Sequence, residues 1–181
     1  IKGTMNNARL LISNNAWGNN LYGGIAVFAK DNPVKVEMAG HNLNIQMSGF
    51  NNNHDIYGIF ARNQKEINIT NETATGGKKG AITMSLDNSA NDGGNVYGIY
   101  ADTAKVSIDG DVTITKAATT SNGYAKEFTA IKTENPGSEI DIKGKFTMSG
   151  KSITGKGDLY TARHVAVSLK GNRSKIHIHS A

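Results

Sequence analysis

A short apolar motif recurs five times along this chain of 181 residues. Each copy is five residues long and has a Val or Ile at its centre, preceded by Ala or Gly. The central residues lie 32 to 40 residues apart, at Val27, Ile59, Ile99, Ile131 and Val167. A repeat of this length, built from short apolar runs without helical periodicity, is typical of a β-solenoid.

An alternating run follows each copy of the motif. A polar or charged residue always separates its two apolar residues, which are Val34/Val36, Ile67/Ile69, Val106/Ile108, Ile140/Ile142 and Ile176/Ile178. Because successive side chains of a strand point to opposite faces, both apolar residues of a run face the same side. We name the motif the a-strand and this run the b-strand. A third run, the c-strand, is predicted at 43–47, 82–86, 112–115 and 146–149.

Three strands per repeat predict an all-β fold of four to five coils, with three parallel sheets around a narrow apolar core. A single coil has no partners for its backbone groups, so only the stack is stable. Because end caps are lacking, we interpret residues 1–181 as one solenoid segment excised from a longer protein. The links most variable in length gather mainly along the edge between c- and a-strands, and the predicted variable loops are 48–55, 71–80, 87–95, 116–126 and 150–158.

The composition narrows the possible partners. The chain has 21 glycines, suited to sharp corners, and no cysteine, which excludes disulfides and thiolate metal sites. No apolar run approaches the roughly 18 residues that a membrane-spanning helix needs, so this segment is not expected to be membrane-embedded. The net charge of +5 favours acidic partners. The lysines are scattered rather than gathered in a stripe, so we do not expect nucleic-acid binding.

The stretch from Tyr97 to Thr115 reads YGIYA…VSIDGDVTIT and carries a resemblance to a known class of proteins. Together with the turns rich in Asn and Gly, it resembles passenger domains of autotransporter adhesins, the type V secretion proteins of Gram-negative bacteria. This resemblance extends over the whole chain in style, without one diagnostic motif. It implies a right-handed, pectate-lyase-like parallel β-helix displayed outside the cell.

The a-strands offer the first candidate binding surface. If their central Val and Ile side chains point inward, the next residues point outward and are Phe28, Phe60, Tyr100, Lys132 and Ser168. Strict alternation also places a column of small residues beside them, at Ala26, Gly58, Gly98, Ala130 and Ala166. Aromatic side chains beside a shallow floor could hold a sugar ring or an extended peptide. The alternative is that these aromatics are buried as a satellite core.

The b-strands offer two outward columns of polar and charged residues. They are Lys35, Asn68, Ser107, Asp141, His177 in one and Glu37, Thr70, Asp109, Lys143, His179 in the other. Opposite charges become neighbours, which is typical of a solvated face. The pair His177 and His179, with Asp141 one coil earlier, is a weak candidate for a metal site. We expect no bound metal and no cofactor.

A polysaccharide-cleaving enzyme is a further alternative. Lyases of the fold cluster carboxylates around calcium beside a basic residue, whereas Glu37, Asp109 and Asp141 are separated by neutral residues or belong to different columns. Paired carboxylates within hydrolytic reach are not indicated either. We therefore expect no catalytic residues.

The sequence leads to the expectation of a surface adhesin segment that binds without covalent chemistry. Expected partners are a host extracellular-matrix protein, fibronectin for example, or a glycan. The candidate ligand-binding residues are Phe28, Phe60, Tyr100 and Lys132. An inert stalk that carries a distal head is the second interpretation.

Overall fold

The computed structural model describes residues 7–13, 24–48, 54–72, 77–87, 94–117, 127–150 and 163–179. Within these ranges the chain forms three sheets of five strands each. The c-sheet contains β1 (Asn7–Ser13), β4 (Asn42–Ser48), β7 (Ile82–Leu86), β10 (Val112–Lys116) and β13 (Phe146–Gly150). The a-sheet contains β2 (Gly24–Ala29), β5 (Ile56–Arg62), β8 (Val96–Asp102), β11 (Glu127–Glu134) and β14 (Arg163–Ser168). The b-sheet contains β3 (Val34–Glu37), β6 (Glu66–Thr70), β9 (Lys105–Ile108), β12 (Glu139–Ile142) and β15 (Lys175–Ile178).

Every strand pairs in parallel with the equivalent strand of the coil before or after it, as in β5 between β2 and β8. This arrangement confirms the all-β parallel solenoid and the assignment of a-, b- and c-strands. Strand β1 was not predicted. Its sequence, NARLLIS, has two adjacent leucines and therefore lacks the strict alternation that marks the other strands.

The core lies inside the ring of three sheets, and the alternation of the b-strands generates one of its walls. Both apolar residues of β6, β9 and β12 are buried, with exposed fractions of 0 or 1%: Ile67, Ile69, Val106, Ile108, Ile140 and Ile142. The c-sheet contributes Ile45, Met84 and Ile114 in the same way. The inward direction predicted for these three b-strand pairs is confirmed.

One asparagine ties successive coils together where b-strands turn into c-strands. The side-chain oxygen of Asn71 accepts hydrogen bonds from the backbone N–H of Gly40 at 3.1 Å and of Gly80 at 3.0 Å. Its amide donates to the carbonyl oxygen of Asp109. Because the polar groups of this 5% exposed side chain are all engaged, its burial does not leave unpaired groups in the corner.

The a-strands depart from strict alternation at one position. A Cβ atom built on Gly58 would lie 2.7 Å from Sδ of Met84 in the core and 2.8 Å from the carbonyl oxygen of Gly98. Gly58 and the next residue, Ile59, thus both face the interior, and Tyr57 faces outward. The paired registers skip Gly58 and its equivalents, which is consistent with a local break in the pleat.

The prediction of a small-residue floor on the outer face is therefore wrong for most of its length. Ala26 packs against the core and Ala130 is buried in it, together with Gly58 and Gly98 on the same side. At Gly58 and Gly98 the backbone of the next coil approaches so closely that a Cβ atom would lie less than 3 Å from a carbonyl oxygen.

Each of the five predicted variable loops lies partly outside the described residues. Of 48–55, 71–80, 87–95, 116–126 and 150–158, the segments 49–53, 73–76, 88–93, 118–126 and 151–158 are not described. Among the residues that are described, no helix has the length and apolar character needed to cross a membrane.

Candidate functional site

Six large side chains gather on the outer face of the a-sheet, separate from the main core. We call them the aromatic cluster; its members are Ile25, Phe28, Tyr57, Phe60, Tyr97 and Tyr100. The ladder builds the cluster, because register places Ile25, Tyr57 and Tyr97 in one column and Phe28, Phe60 and Tyr100 in a second. Each coil contributes one residue to each column.

The rings of the aromatic cluster pack mainly on one another. Phe60 stacks on Tyr57 at a centroid distance of 4.6 Å and on Phe28 at 5.2 Å. Its third neighbour, Tyr100, meets it edge-on at 5.1 Å. Tyr57 and Tyr97 stack at 5.1 Å. These separations lie within the range in which aromatic pairs attract beyond simple area burial.

Burial within the cluster is uneven. Tyr57, Phe60 and Tyr97 are 7, 3 and 5% exposed, whereas Phe28 and Tyr100 are half-buried. Phe60 therefore has the environment of a packing residue, and any ligand would first meet Phe28 or Tyr100.

Lys132 continues the second column after Tyr100 and brings a charge to the aromatic rings. Its ammonium nitrogen lies 4.8 Å from the ring centre of Tyr97 and 5.2 Å from that of Tyr100. It also forms an ion pair with Glu134 at 2.9 Å. Burial by itself would lower the pKa of Lys132, but the hydrogen bond to Glu134 and the nearby Tyr97 outweigh it and raise the pKa. The lysine stays charged in the cluster.

The tyrosines of the cluster are held in their neutral form. The pKa of Tyr57 is raised, with burial as the largest cause and the nearby Asp55 carboxylate as the next. The Tyr57 hydroxyl donates to Asp55 at 3.4 Å, and the same carboxylate accepts the backbone N–H of Asn95 at 2.7 Å. Burial also raises the pKa of Tyr97 and Tyr100.

The structure thus places the four candidate ligand-binding residues in one outer column, as the sequence predicted. Phe28, Phe60, Tyr100 and Lys132 follow one another in register. Their binding of a ligand stays a prediction. Sequence reasoning missed Tyr57 and Tyr97, because strict alternation placed them inside. Their signal is the Tyr-Gly pair itself, since a glycine without room for a side chain forces the preceding ring to the other face.

The outer face of the b-sheet has a different character. Its register confirms the first predicted column, in which Lys35, Asn68, Ser107, Asp141 and His177 pair in succession. In the second column Glu37 pairs with Thr70, and backbone hydrogen bonds carry the ladder on through Asp109, Lys143 and His179.

A shallow depression of about 200 Å³ crosses three strands of this face. We call it the b-sheet depression; it is lined by Glu66, Asn68, Lys105, Ser107, Glu139 and Asp141, with Val106 at its base. Ser107 has a small side chain and pairs with the longer Asn68 on one side and Asp141 on the other, which places the centre of the depression at Ser107. All six lining residues named first are polar or charged.

Three of these residues belong to a column that the sequence prediction omitted. Glu66, Lys105, Glu139 and Lys175 pair in register, so the sign of the charge alternates along the stack. Among the described residues that line the depression, one ion pair forms, a loose one between Lys105 and Glu139 at 3.8 Å. The signal was present in the sequence, since a charged residue stands immediately before each of these b-strand pairs.

The two histidines of β15 and its end lie at one edge of the same face. Nε2 of His179 is 2.8 Å from a carboxylate oxygen of Asp141, and the ring centres of His177 and His179 are 6.4 Å apart. Within the described ranges, no group of three or more His, Asp or Glu side chains is arranged to hold a metal ion.

The carboxylates weighed for catalysis do not converge. Glu37 accepts a hydrogen bond from the Thr70 hydroxyl at 2.6 Å, while Asp109 pairs with Lys79 at 2.6 Å. Asp141 pairs with His179 instead. Each carboxylate is therefore engaged in a separate local contact.

A buried lysine lies apart from both outer faces. Lys116 ends β10 at 2% exposure, and burial lowers its pKa although Asp87 opposes the shift. Burial also raises the pKa of Asp87, one of whose carboxylate oxygens is buried without a hydrogen-bond partner among the described residues. A lowered lysine pKa is one requirement of an amine nucleophile, but at 2% exposure a substrate does not reach this amine.

Comparison of the chain with protein-family models, with curated proteins and with solved structures gives no match.

Proposed function

We propose that this chain is a recognition segment of a bacterial cell-surface protein of the autotransporter adhesin kind. In this role it binds a host extracellular-matrix protein or glycan outside the cell, without covalent chemistry or a cofactor. The parallel solenoid is a suitable scaffold, because each coil repeats the positions of the last and fixes surface side chains in long columns.

The observation that carries the proposal is the b-sheet depression. It presents carboxylates, an ammonium, an amide and a hydroxyl on three hydrogen-bonded strands. The backbone of paired strands is already fixed, so a ligand orders only the side chains, and such a surface recognises a partner at a lower entropic cost than a flexible loop. Modest affinity at one such site is raised when many copies are displayed on one cell.

A single substitution tests the role of the depression. Ser107→Trp places a bulky side chain in its centre, and we expect it to reduce binding to matrix proteins or glycans at least tenfold. Ser85→Trp is the matched control, because Ser85 is the outward, half-buried serine of a central strand in the c-sheet. Binding is measured by biolayer interferometry against immobilised fibronectin, other matrix proteins and a glycan array.

The same screen separates the alternatives. Saturable binding that Ser107→Trp weakens and Ser85→Trp leaves unchanged supports recognition through the depression. A lack of saturable binding to every matrix protein and glycan contradicts it and favours the stalk. Release of unsaturated, ultraviolet-absorbing products from acidic polysaccharides would instead show a lyase.

A further inference from the structure

The b-sheet depression has a local charge opposite to that of the chain. The whole chain carries +5, whereas the depression presents the carboxylates of Glu66, Glu139 and Asp141 against the single ammonium of Lys105. The excess of negative charge belongs to the residues that line the depression, since Lys175 follows Glu139 in the same column just outside it. Charge complementarity selects for cationic groups on the partner.

Much of this negative charge is accessible. Glu66 is exposed, and its carboxylate forms no ion pair with another described residue. Glu139 lies in register between Lys105 and Lys175, and its one ion pair with another described residue is the loose contact with Lys105 at 3.8 Å. Exposed pairs of this kind contribute little stability, so a cationic ligand competes with them at small cost.

The spacing of two carboxylates indicates the form of the ligand. Glu66 and Glu139 both pair with Lys105 in register, on opposite sides, so they lie two strands apart, at about 9.6 Å. A polyproline II segment has three residues per turn and rises about 3.1 Å per residue, so every third side chain returns to the same face after about 9.3 Å. In an extended β-strand the same-face repeat is about 6.8 Å, which does not match.

The neutral residues of the depression fit the same ligand. Asn68 and Ser107 lie beside the charged column and offer an amide and a hydroxyl. The backbone groups of a polyproline II segment have no internal hydrogen bonds and are free to accept or donate. None of the residues that line the depression is aromatic, so it offers no flat ring on which a sugar could stack.

We propose that the b-sheet depression binds an extended basic segment of a protein partner, with Lys or Arg side chains three residues apart. The two cationic groups would contact Glu66 and Glu139, and the segment would run along the stack of coils across β6, β9 and β12. This inference rests on the proposed recognition function and narrows its partner to a protein rather than an acidic glycan.

The test uses a labelled peptide, (Arg-Pro-Pro)3, with fluorescence anisotropy as the measurement. This sequence favours polyproline II and places every arginine on one face. We expect saturable binding, and about tenfold weaker binding of (Asp-Pro-Pro)3 or of (Arg-Pro)4, whose arginines do not share one face. Higher salt should weaken the complex, because the contacts are between exposed charges.

Variants assign the binding to the two glutamates. Glu66→Gln and Glu139→Gln should each weaken the peptide complex about threefold and together about tenfold, as expected for exposed ion pairs. Glu72→Gln is the control, since Glu72 is an exposed glutamate outside the depression that pairs with Lys35. Far-UV circular dichroism checks that each variant keeps its fold.

Several outcomes would overturn the proposal. Equal binding by wild type and the double variant would remove the glutamates from the site, and binding of heparin that Ser107→Trp abolishes would point to an acidic glycan. If a matrix protein binds through Ser107 and the peptide does not, only the basic-segment proposal fails. If no probe binds at all, the recognition function fails with it.

Discussion

The outer faces of the a-sheet and the b-sheet have the same backbone geometry but differ in how far their side chains pack on one another. In both, a parallel ladder places equivalent residues of successive coils side by side, about 4.8 Å apart. On the a-sheet those residues are aromatic, and on the b-sheet they alternate between polar and charged types. We call the outer face of the a-sheet the closed face, because its side chains pack on one another, and that of the b-sheet the open face, because several of its side chains are exposed.

The difference follows from what each side-chain type can do at that spacing. Aromatic rings attract each other at centroid distances of about 4.5–7 Å, so rings in successive coils pack on one another. Tyr57 and Phe60 are accordingly buried. Charged side chains at the same spacing form exposed pairs of little strength and keep hydrogen-bonding capacity for a ligand. A repeated column of aromatics therefore supports the fold, while a repeated column of charges can serve recognition.

Removing a central ring of the closed face should have the largest effect on stability. Phe60→Ala should lower the free energy of unfolding by about 3 kcal/mol, because it leaves a void among three rings and removes buried apolar surface. The matched control is Asn68→Ala, an exposed outward residue of the b-sheet in the same coil, with an expected change of about 0.5 kcal/mol or less. Urea unfolding followed by far-UV circular dichroism gives both values. A loss below about 1 kcal/mol for Phe60→Ala would mean that the rings are not a packing unit.

Alkaline pH should act on the closed face through its tyrosines. The unfolded chain releases the phenol proton of Tyr57 near pH 10, whereas burial and Asp55 raise the pKa in the folded chain. Above about pH 10 the unfolded state thus binds fewer protons than the folded state, and stability falls as the pH rises. At pH 11 this residue alone should cost about 1.4 kcal/mol relative to neutral pH.

The phenylalanine variant isolates that effect. Tyr57→Phe keeps the ring and removes the titrating group, so its stability should fall less steeply than that of the wild type between pH 9 and pH 11. Urea unfolding at several pH values measures the two slopes. Identical slopes would contradict the assignment of the alkaline loss to Tyr57.

The smallest expected effect comes from replacing one lysine by methionine on each face and comparing the two losses of stability. Lys132→Met should cost about 1 kcal/mol, because the ammonium leaves the Tyr97 and Tyr100 rings and the ion pair with Glu134. Lys105→Met, on the open face, should change stability by about 0.5 kcal/mol or less, since its contact with Glu139 is loose and exposed. Thermal and urea unfolding of both variants provide the measurement, and equal losses would contradict the distinction between the faces.

Much of the fold could be predicted because it depends on local periodicity. The pairs Ile67/Ile69 and Val106/Ile108 alternate with polar residues, and this alternation alone sets which side of the strand faces the core. The same repetition fixed the register of the outward columns, because equivalent positions must pair when coils stack.

The candidate surfaces were predicted only in part. Phe28, Phe60, Tyr100 and Lys132 were placed in one column, but the pleat breaks at Gly58 and Gly98, which turned Tyr57 and Tyr97 outward against the expected alternation. A two-residue period cannot reveal such a break. It depends on the contacts that Met84 and Ile114 make from another sheet.

The sequence by itself determined the class of fold and the direction of most side chains. Both follow from a short repeat, and each copy of it shows the same alternation of apolar and polar residues. Only the tertiary structure decided which outward column is closed and which is open. That outcome depends on distances between residues in successive coils, such as the 4.6 Å between the rings of Tyr57 and Phe60 or the 3.8 Å between Lys105 and Glu139. Contacts between coils join residues far apart in the chain, and a local pattern does not contain their distances.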